Sequence, residues 1–221
     1  AGGEAAGEAL MTLHLKEEEI KSRSLCRRRY LEILDHLSST STLAFRVDAA
    51  ITCSDDEKLA SLIMPPGVSS LRSLRDEDDI VTAISTFLQE DLTLARALLL
   101  KAEAMGAAME RSVFFARHVF LRSALLLTYD DANRERLELK MINFAFSFAR
   151  LPHQPPLTHD ALWDGSPSSD EDSYLIGVRS LVRVMKRVIA ALEDLKEMSE
   201  HKPSRLSDFV YGDDRDDSDD S

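Results

Sequence analysis

Two short stretches decide the fold of this chain: RSALLLTYD at residues 122–130 and LKMINFA at residues 139–145. Both are apolar runs of strand length, turn residues lie between them, and the helix breaker Pro152 follows the second. Residues 137–141 alternate between apolar and charged side chains, which is the period of two that a strand requires. The pattern predicts two neighbouring buried strands, with the polar residue Asn143 at the end of the second.

The remaining periodic segments predict mostly helices. Without further information residues 113–149 could also form one or two buried helices of an all-helical scaffold, so that alternative stays open. The final helix repeats its apolar residues at alternating spacings of four and three, which suits either a coiled coil or a helix packed along its own domain. The other predicted elements are a helix at 17–37, a strand at about 43–52, a helix starting near Asp78 or Asp79, helices at 91–112 and 173–199, and a long loop at 151–172.

The two stretches resemble the inositol polyphosphate kinase family, in which a Ser-Ser-Leu-Leu strand is followed by Met-Ile-Asp-Phe-Ala. Downstream, YLIGVRSLV at residues 174–182 is similar to the start of the family's last long helix. Upstream, STSTLAFRV at residues 39–47 is similar to the family's Ser-Thr-Ser and Gly-Phe-Arg-Ile, with Ala44 in place of the glycine. The resemblance implies an α+β fold like the family's carboxy-terminal lobe, a small antiparallel sheet packed by helices.

The family's signature, Pro-x-x-x-Asp-x-Lys-x-Gly, falls at residues 10–18, where only Lys16 is kept and His14 replaces the aspartate. The resemblance implies that these two are the degenerate catalytic positions. Kinases of the family have an amino-terminal lobe before the signature, with a lysine that grips the ATP phosphates. Residues 1–9 show neither strand alternation nor a Gly-rich loop backed by a lysine. We therefore expect a flexible end there and an amino-terminal lobe that is largely missing.

The resemblance also implies that the aspartate of Met-Ile-Asp-Phe-Ala holds the Mg²⁺ of ATP, and Asn143 stands at that position. Ser123, from the first stretch, is the other expected cofactor contact. Phosphoryl transfer depends on positioning and on neutralising charge, and an amide compensates Mg²⁺ poorly. We therefore expect an inactive protein with no cofactor. The alternative is an active ATP-dependent inositol phosphate kinase that uses Mg²⁺ with Asn143 and His14 as unconventional site residues.

A cluster of cations follows the signature, in the region where the resemblance places the inositol phosphates. On the predicted helix, Arg23 and Arg27 share a face that Lys16 could join, which would suit a polyanion. The alternative is a solvated face that pairs with the acids at residues 17–19. The expected substrate-binding residues are Lys16, Lys21, Arg23 and Arg27.

The packing positions of the resemblance are kept while its acidic positions are changed. This selective pattern favours a binding or structural subunit of a protein complex, with inositol phosphates as further ligands. Because the lobe that covers this face would be missing, we expect a protein partner to cover the apolar surface instead.

Composition excludes several other classes. The net charge of −12 argues against a general nucleic-acid binder, which needs a basic face. No apolar run reaches the roughly 18 residues of a membrane span, and no targeting signal is visible at the amino terminus, so we expect a cytoplasmic or nuclear protein. Cys26 and Cys53 lie in no metal-ligand spacing and are expected to be reduced, and the histidines show no zinc motif.

Two acidic segments complete the predicted organisation. Residues 10–200 are expected to form the domain, and the acidic tail at residues 201–221 is expected to be disordered. The acidic part of the 151–172 loop carries Ser168 and Ser169, which are either solvated or targets of an acid-directed kinase. A basic set on the final helix could receive the acidic loop or tail; it comprises Arg179, Arg183, Lys186 and Arg187.

Overall fold

The computed structural model of the protein describes residues 15–25, 27–51, 70–162 and 171–200. The statements below concern these residues. Some predicted features lie outside them, namely His14, both cysteines, Ser168 and Ser169, the segment 1–9 and the tail 201–221.

The described residues form an α+β fold, so the all-helical alternative is wrong. The helices are α1 (Glu17–Ser22), α2 (Arg27–His36), α3 (Thr40–Leu43), α4 (Glu77–Phe87), α5 (Leu92–Arg111) and α6 (Tyr174–Glu200). The strands are β1 (His118–Phe120), β2 (Ala124–Tyr129), β3 (Leu137–Ile142) and β4 (Ser147–Ala149).

The centre of the fold is the contact between α5 and α6, the most extensive between any two described elements. The helices are antiparallel, since Arg96 near the start of α5 pairs with Glu193 near the end of α6, and Glu110 pairs with Arg179. Each buried leucine of this interface contributes roughly 2 kcal/mol of transfer free energy. α6 therefore packs along its own domain, as one of the two predicted alternatives requires. The buried residues include Leu94, Leu98, Ala102, Val184, Met185 and Val188.

The starts of α4 and α5 follow from their sequences. Three acids fill the first turn of α4, where negative charge is favourable beside the unpaired N–H groups, and Ile80 and Ala83 supply its buried face. Asp91 caps α5 by accepting hydrogen bonds from the N–H groups of Thr93 and Leu94, at 2.7 and 3.0 Å. The predicted helices near 78 and at 91–112 are confirmed to within a residue or two.

The strands form two antiparallel pairs, and a backbone hydrogen bond from Leu121 to Phe146 lies between them. We call the two pairs together the ribbon, and the gap between them its interruption. β2 pairs with β3, with Ala124 opposite Ile142, and β1 pairs with β4, with Phe120 opposite Ser147. The predicted pairing of strands is therefore confirmed. The predicted stretches 122–130 and 139–145 correspond to β2 and β3, while β1 and β4 lie beyond the breaks at residues 121–123 and 143–146.

The ribbon buries only one of its faces, so the predicted buried strands are buried on one side. Leu137, Leu139 and Met141 point inward and pack in the core beside α5. On the opposite face Leu126 is 44% exposed. A two-stranded ribbon has helices on one side here, and the alternation of side chains leaves the other side uncovered among the described residues.

Two predictions for the first fifty residues are wrong. The predicted helix at 17–37 is broken after Ser22, because Arg23 adopts a left-handed conformation (φ 49°) and ends α1. A strand is predicted at 43–52. In the structure, residues 40–43 form the single-turn helix α3, and residues 44–51 have no regular structure. Their side chains are mostly half-buried, and Phe45 and Val47 pack against the core, so apolarity alone suggested a strand. None of the described helices is both long and apolar enough to cross a membrane.

Candidate functional site

The interruption of the ribbon presents Asn143, the residue on which the sequence analysis depended. Asn143 directly follows β3, is exposed, and adopts a left-handed conformation (φ 64°). Across from it Arg122 is also left-handed (φ 57°), and the N–H of Leu121 donates to the carbonyl of Phe146 at 3.1 Å to close the gap. The amide of Asn143 is therefore held at the surface by a fixed backbone.

Ser123 belongs to the same interruption, since it precedes Ala124, whose partner Ile142 precedes Asn143. Its hydroxyl is buried and has no hydrogen-bond partner in the part of the chain that the structure describes. The phenol of Tyr174, at the start of α6, lies near it: burial raises the pKa of Tyr174, the Ser123 hydroxyl lowers it, and the charge of Asp172 raises it, so that the pKa is above the ordinary value. The two expected cofactor residues thus come from one place, but the hydroxyl of Ser123 is buried.

The donor groups at this interruption do not fit a magnesium ion. Asn143 offers one neutral carbonyl oxygen, whereas Mg²⁺ in kinases is held by carboxylates together with phosphate oxygens. In the part of the chain that the structure describes, no group of three or more His, Cys, Asp or Glu side chains is placed to hold a metal ion.

One acid that contacts this region, Asp172, already has a structural role. Asp172 accepts hydrogen bonds from the N–H groups of Phe120 at 2.8 Å and of Tyr174 at 3.1 Å. It therefore ties the start of α6 to the end of β1, next to the interruption. Sequence analysis missed this residue, because only its acidic neighbourhood was visible and its partners are distant in the chain.

The expected substrate-binding cations of α1 lie at the surface. The N–H of Lys16 donates to Glu19 at 2.7 Å, which is the first cause of a lowered pKa for that carboxyl. Lys21 forms an ion pair with Glu17 at 2.7 Å, one turn away on the same helix. For Lys21 this is the solvated, acid-paired arrangement that the sequence left open as the alternative.

Arg23 and Arg27 do not belong to one helix, which the phosphate-binding prediction assumed. Arg23 ends α1 in a left-handed conformation, and α2 begins at Arg27. The helical spacing of four residues therefore does not apply to this pair. Phosphate binding by these residues is not tested by the geometry and remains a prediction.

The basic set on α6 pairs with acids of the fold itself. Arg187 and Arg183 bind Glu77 at the start of α4, at 3.1 and 3.2 Å, and these hydrogen bonds lower the pKa of Glu77 despite its partial burial. Lys186 pairs with Glu103. From the predicted acidic loop, Asp160 reaches Arg179. The set therefore holds α6 to α4 and α5, and one acid of the loop joins it.

The sequence of the chain is similar to those of known proteins. The family model described as inositol polyphosphate kinase matches residues 16–186. An inositol-trisphosphate 3-kinase homolog of Caenorhabditis elegans is 30% identical over 86% of this chain and 34% of its own length. Inositol-trisphosphate 3-kinase A of Mus musculus is 28% identical over 76% of this chain and 34% of its own. The chain spans about a third of the length of these relatives.

Proposed function

We propose that this chain, which belongs to the inositol polyphosphate kinase family, is a divergent member that acts as a binding or structural subunit and not as a kinase on its own. The observation that carries the proposal is Asn143. It lies exposed at the end of β3, where the resemblance places the metal-binding aspartate. The described segment corresponds in this proposal to the family's carboxy-terminal lobe.

The chemistry of the amide supports the loss of catalysis. Replacing a carboxylate by an amide removes a full negative charge from beside a divalent ion that gives up its water reluctantly. The change leaves the fold intact, because Asn tolerates the left-handed conformation better than most residues. Selection for packing without selection for metal binding accounts for this combination.

The uncovered face of the ribbon supports a protein partner. Leu126 and Ile142 lie on this face of β2 and β3 by strand alternation, and Leu126 is 44% exposed. At and beyond the interruption, Leu121 and Phe148 are 42% and 54% exposed. Exposed apolar side chains of this kind are typical of interfaces. In the proposal a protein surface covers them, and inositol phosphates bind the cations near α1 as a second ligand.

A magnesium-nucleotide titration tests the loss of catalysis. We expect no saturable heat of Mg-ATP binding with the native chain by isothermal titration calorimetry. The double reversal Asn143→Asp with His14→Asp should gain magnesium-dependent binding. Asn133→Asp adds the same charge at another exposed turn of the ribbon and is the matched control. ATP-dependent phosphorylation of an inositol phosphate by the native chain, abolished by Lys16→Met, would instead establish the active kinase.

The subunit role has its own test. Leu126→Glu and Phe148→Glu place charges on the uncovered face and should abolish co-purification of a partner from the native source. Leu100→Glu, at an exposed position of α5 on another surface, should leave it unchanged. A native chain that is monomeric and binds no protein, or variants that bind as the native chain does, would refute the partner.

A further inference from the structure

His159 is a buried titratable residue that the proposed function leaves without a role. It is 1% exposed and lies in the loop before α6, in a left-handed conformation (φ 56°). The aromatic rings of Phe115 and Phe120 flank the imidazole, with ring centres 4.1 and 6.2 Å away. A polar ring in such surroundings needs partners for both of its nitrogens.

Both ring nitrogens face groups that only accept hydrogen bonds. Nδ1 lies 2.7 Å from Oδ1 of Asp172, and Nε2 lies 2.8 Å from the carbonyl oxygen of Phe115. A neutral imidazole carries one N–H, so one nitrogen would present a lone pair to an acceptor. Only the protonated ring donates to both. The geometry therefore selects the imidazolium, paired with the carboxylate of Asp172.

Glu171 and Asp172, which directly precede α6, both hold the loop that contains His159. Glu171 accepts hydrogen bonds from the N–H groups of Thr158 and His159, at 2.9 and 2.7 Å. The carbonyl of His159 in turn accepts from the N–H of Leu175 at 2.9 Å. Three segments meet at this point: the turn before β1, the loop at 157–162, and the first turn of α6.

We propose that His159, Asp172 and the carbonyl of Phe115 form a protonation-dependent clasp, which fixes the first turn of α6 to β1 while the imidazole is charged and releases it when the proton leaves. The proton passes to solvent, and the neutral ring then turns one lone pair to an acceptor. Its two contacts cannot both survive. The clasp stands on these contacts alone and does not depend on the function proposed above.

The surrounding charges favour the proton. Asp172 and Glu171, just before α6, face the ring. In the loop that contains His159, Asp160 is neutralised by Arg179. From the β1 side, Arg117 donates to the carbonyl of Gln154 at 2.7 Å, and His118 contacts the carbonyl of Phe114. Glu110 pairs with Arg179 from α5, and Tyr174 of α6 is neutral below its raised pKa.

The direction of the pH effect follows from these groups. Burial lowers the pKa of His159, but the hydrogen bond and the charge of Asp172, the carbonyl of Phe115 and the charge of Glu171 together raise it above its ordinary value. A folded-state pKa above the unfolded value gives stability that is complete below about pH 6.5, the ordinary value, and that is lost as pH rises through the folded value.

Release of the clasp reaches the interruption of the ribbon. Asp172 holds the N–H of Phe120, two residues before the left-handed Arg122. Tyr174, whose N–H also binds Asp172, lies beside the hydroxyl of Ser123. When His159 loses its proton, the contacts that Asp172 makes beside the interruption of the ribbon weaken together. The clasp therefore makes the structural order around Asn143 depend on pH.

Nitrogen NMR of the intact chain, labelled at histidine, tests the protonation state directly. We expect both ring nitrogens of His159 to carry protons at neutral pH and to titrate above the ordinary histidine value of about 6.5. A His159 ring that is neutral at neutral pH, or that titrates below that ordinary value, would overturn the proposal. This measurement needs no variant and so does not depend on whether a substitution folds.

Hydrogen exchange tests the release. Above the pKa of His159, protection of the Phe120 and Tyr174 amides, corrected for intrinsic exchange, should fall by about tenfold per pH unit, while amides in the middle of α5 keep theirs. His159→Gln should remove this pH dependence, and the matched control His153→Gln should retain it. A uniform loss across the chain, or the same pH dependence in His159→Gln, would refute a local clasp.

Discussion

A Cβ atom on Gly177 would lie 2.7 Å from the carbonyl oxygen of Ala44 and 3.3 Å from its carbonyl carbon. The first turn of α6 therefore approaches the end of α3 so closely that only glycine fits. These residues belong to segments 174–182 and 39–47, the two outer parts of the family resemblance. Short motifs that the sequence shows far apart are in direct contact, and the contact explains the glycine.

Gly177→Ala should destabilise the protein by about 1–3 kcal/mol, because the overpacking against backbone exceeds the helix-propensity gain of roughly 1 kcal/mol. Gly106→Ala is the matched control in α5, where the nearest atom is a side-chain methyl of Val178 at 3.3 Å that can move. It should be neutral or slightly stabilising. Urea unfolding measures both, and equal effects at the two glycines would contradict the backbone clash.

Ala44→Gly should stabilise the protein by about 1 kcal/mol. Ala44 ends α3 in a left-handed conformation (φ 56°), which costs a non-glycine residue roughly 1–2 kcal/mol. The control is Ala104→Gly, at an exposed position inside α5, which should lose about 1 kcal/mol. Thermal unfolding of the two variants should move in opposite directions; a loss at both positions would show that the strain at Ala44 is absent.

The effect of a substitution at Asn143 on the free energy of unfolding should depend on backbone strain and not on side-chain packing, since the residue is exposed and left-handed. Asn143→Asp should change the free energy of unfolding by less than about 0.5 kcal/mol, whereas Asn143→Val should cost about 1–2 kcal/mol. Glu138→Val, at an exposed and extended position of β3, should be neutral or stabilising. If valine were tolerated equally at both, the left-handed backbone would not be fixed.

The stability contributed by Asp91 should vanish in acid. Burial raises the pKa of Asp91. Hydrogen bonds from Leu94, Arg134 and Thr93 lower the pKa by more than burial raises it, so the folded value is below the ordinary one. Such a carboxyl stabilises the fold above its unfolded pKa of about 3.9 and loses this effect as pH falls through the folded value.

Asp91→Asn retains a capping oxygen but removes the charge, and should cost about 1 kcal/mol at pH 7. The difference from the native chain should shrink as pH falls below about 4. Glu90→Gln alters an exposed neighbouring carboxylate and serves as control, with an expected effect within about 0.5 kcal/mol. Denaturant unfolding at several pH values measures this, and a difference independent of pH would contradict the assignment.

Periodicity predicted the elements in which apolar side chains repeat on one face. The stripe of α6 and the alternation of residues 137–141 each place apolar groups on one face, so their type and approximate ends could be read from the sequence. The break at Arg23 and the interruption at Arg122 could not, because left-handed conformations at arginine are intrinsically unfavourable. Contacts elsewhere in the fold impose them.

Some residues of the candidate site could likewise be predicted from the sequence, and others could not. Asn143 was recognised in the sequence because a single amide replaced a carboxylate within an otherwise familiar strand. The pairing of His159 with Asp172 carried no signal, since neither lies in a motif spacing and each is one polar residue among several in a loop. The predicted strand at 43–52 failed for the opposite reason, because its apolar residues pack against the core without a strand partner.

The sequence by itself determined the family, the helical and extended character of the main elements, and the absence of a carboxylate at position 143. The interruption of the ribbon, its uncovered face and the burial of His159 beside Asp172 emerge only from the tertiary structure. Side-chain patterns record which surface a local segment buries. Backbone strain and buried charge depend on partners brought from distant parts of the chain, and their free energies exist only once the chain has folded.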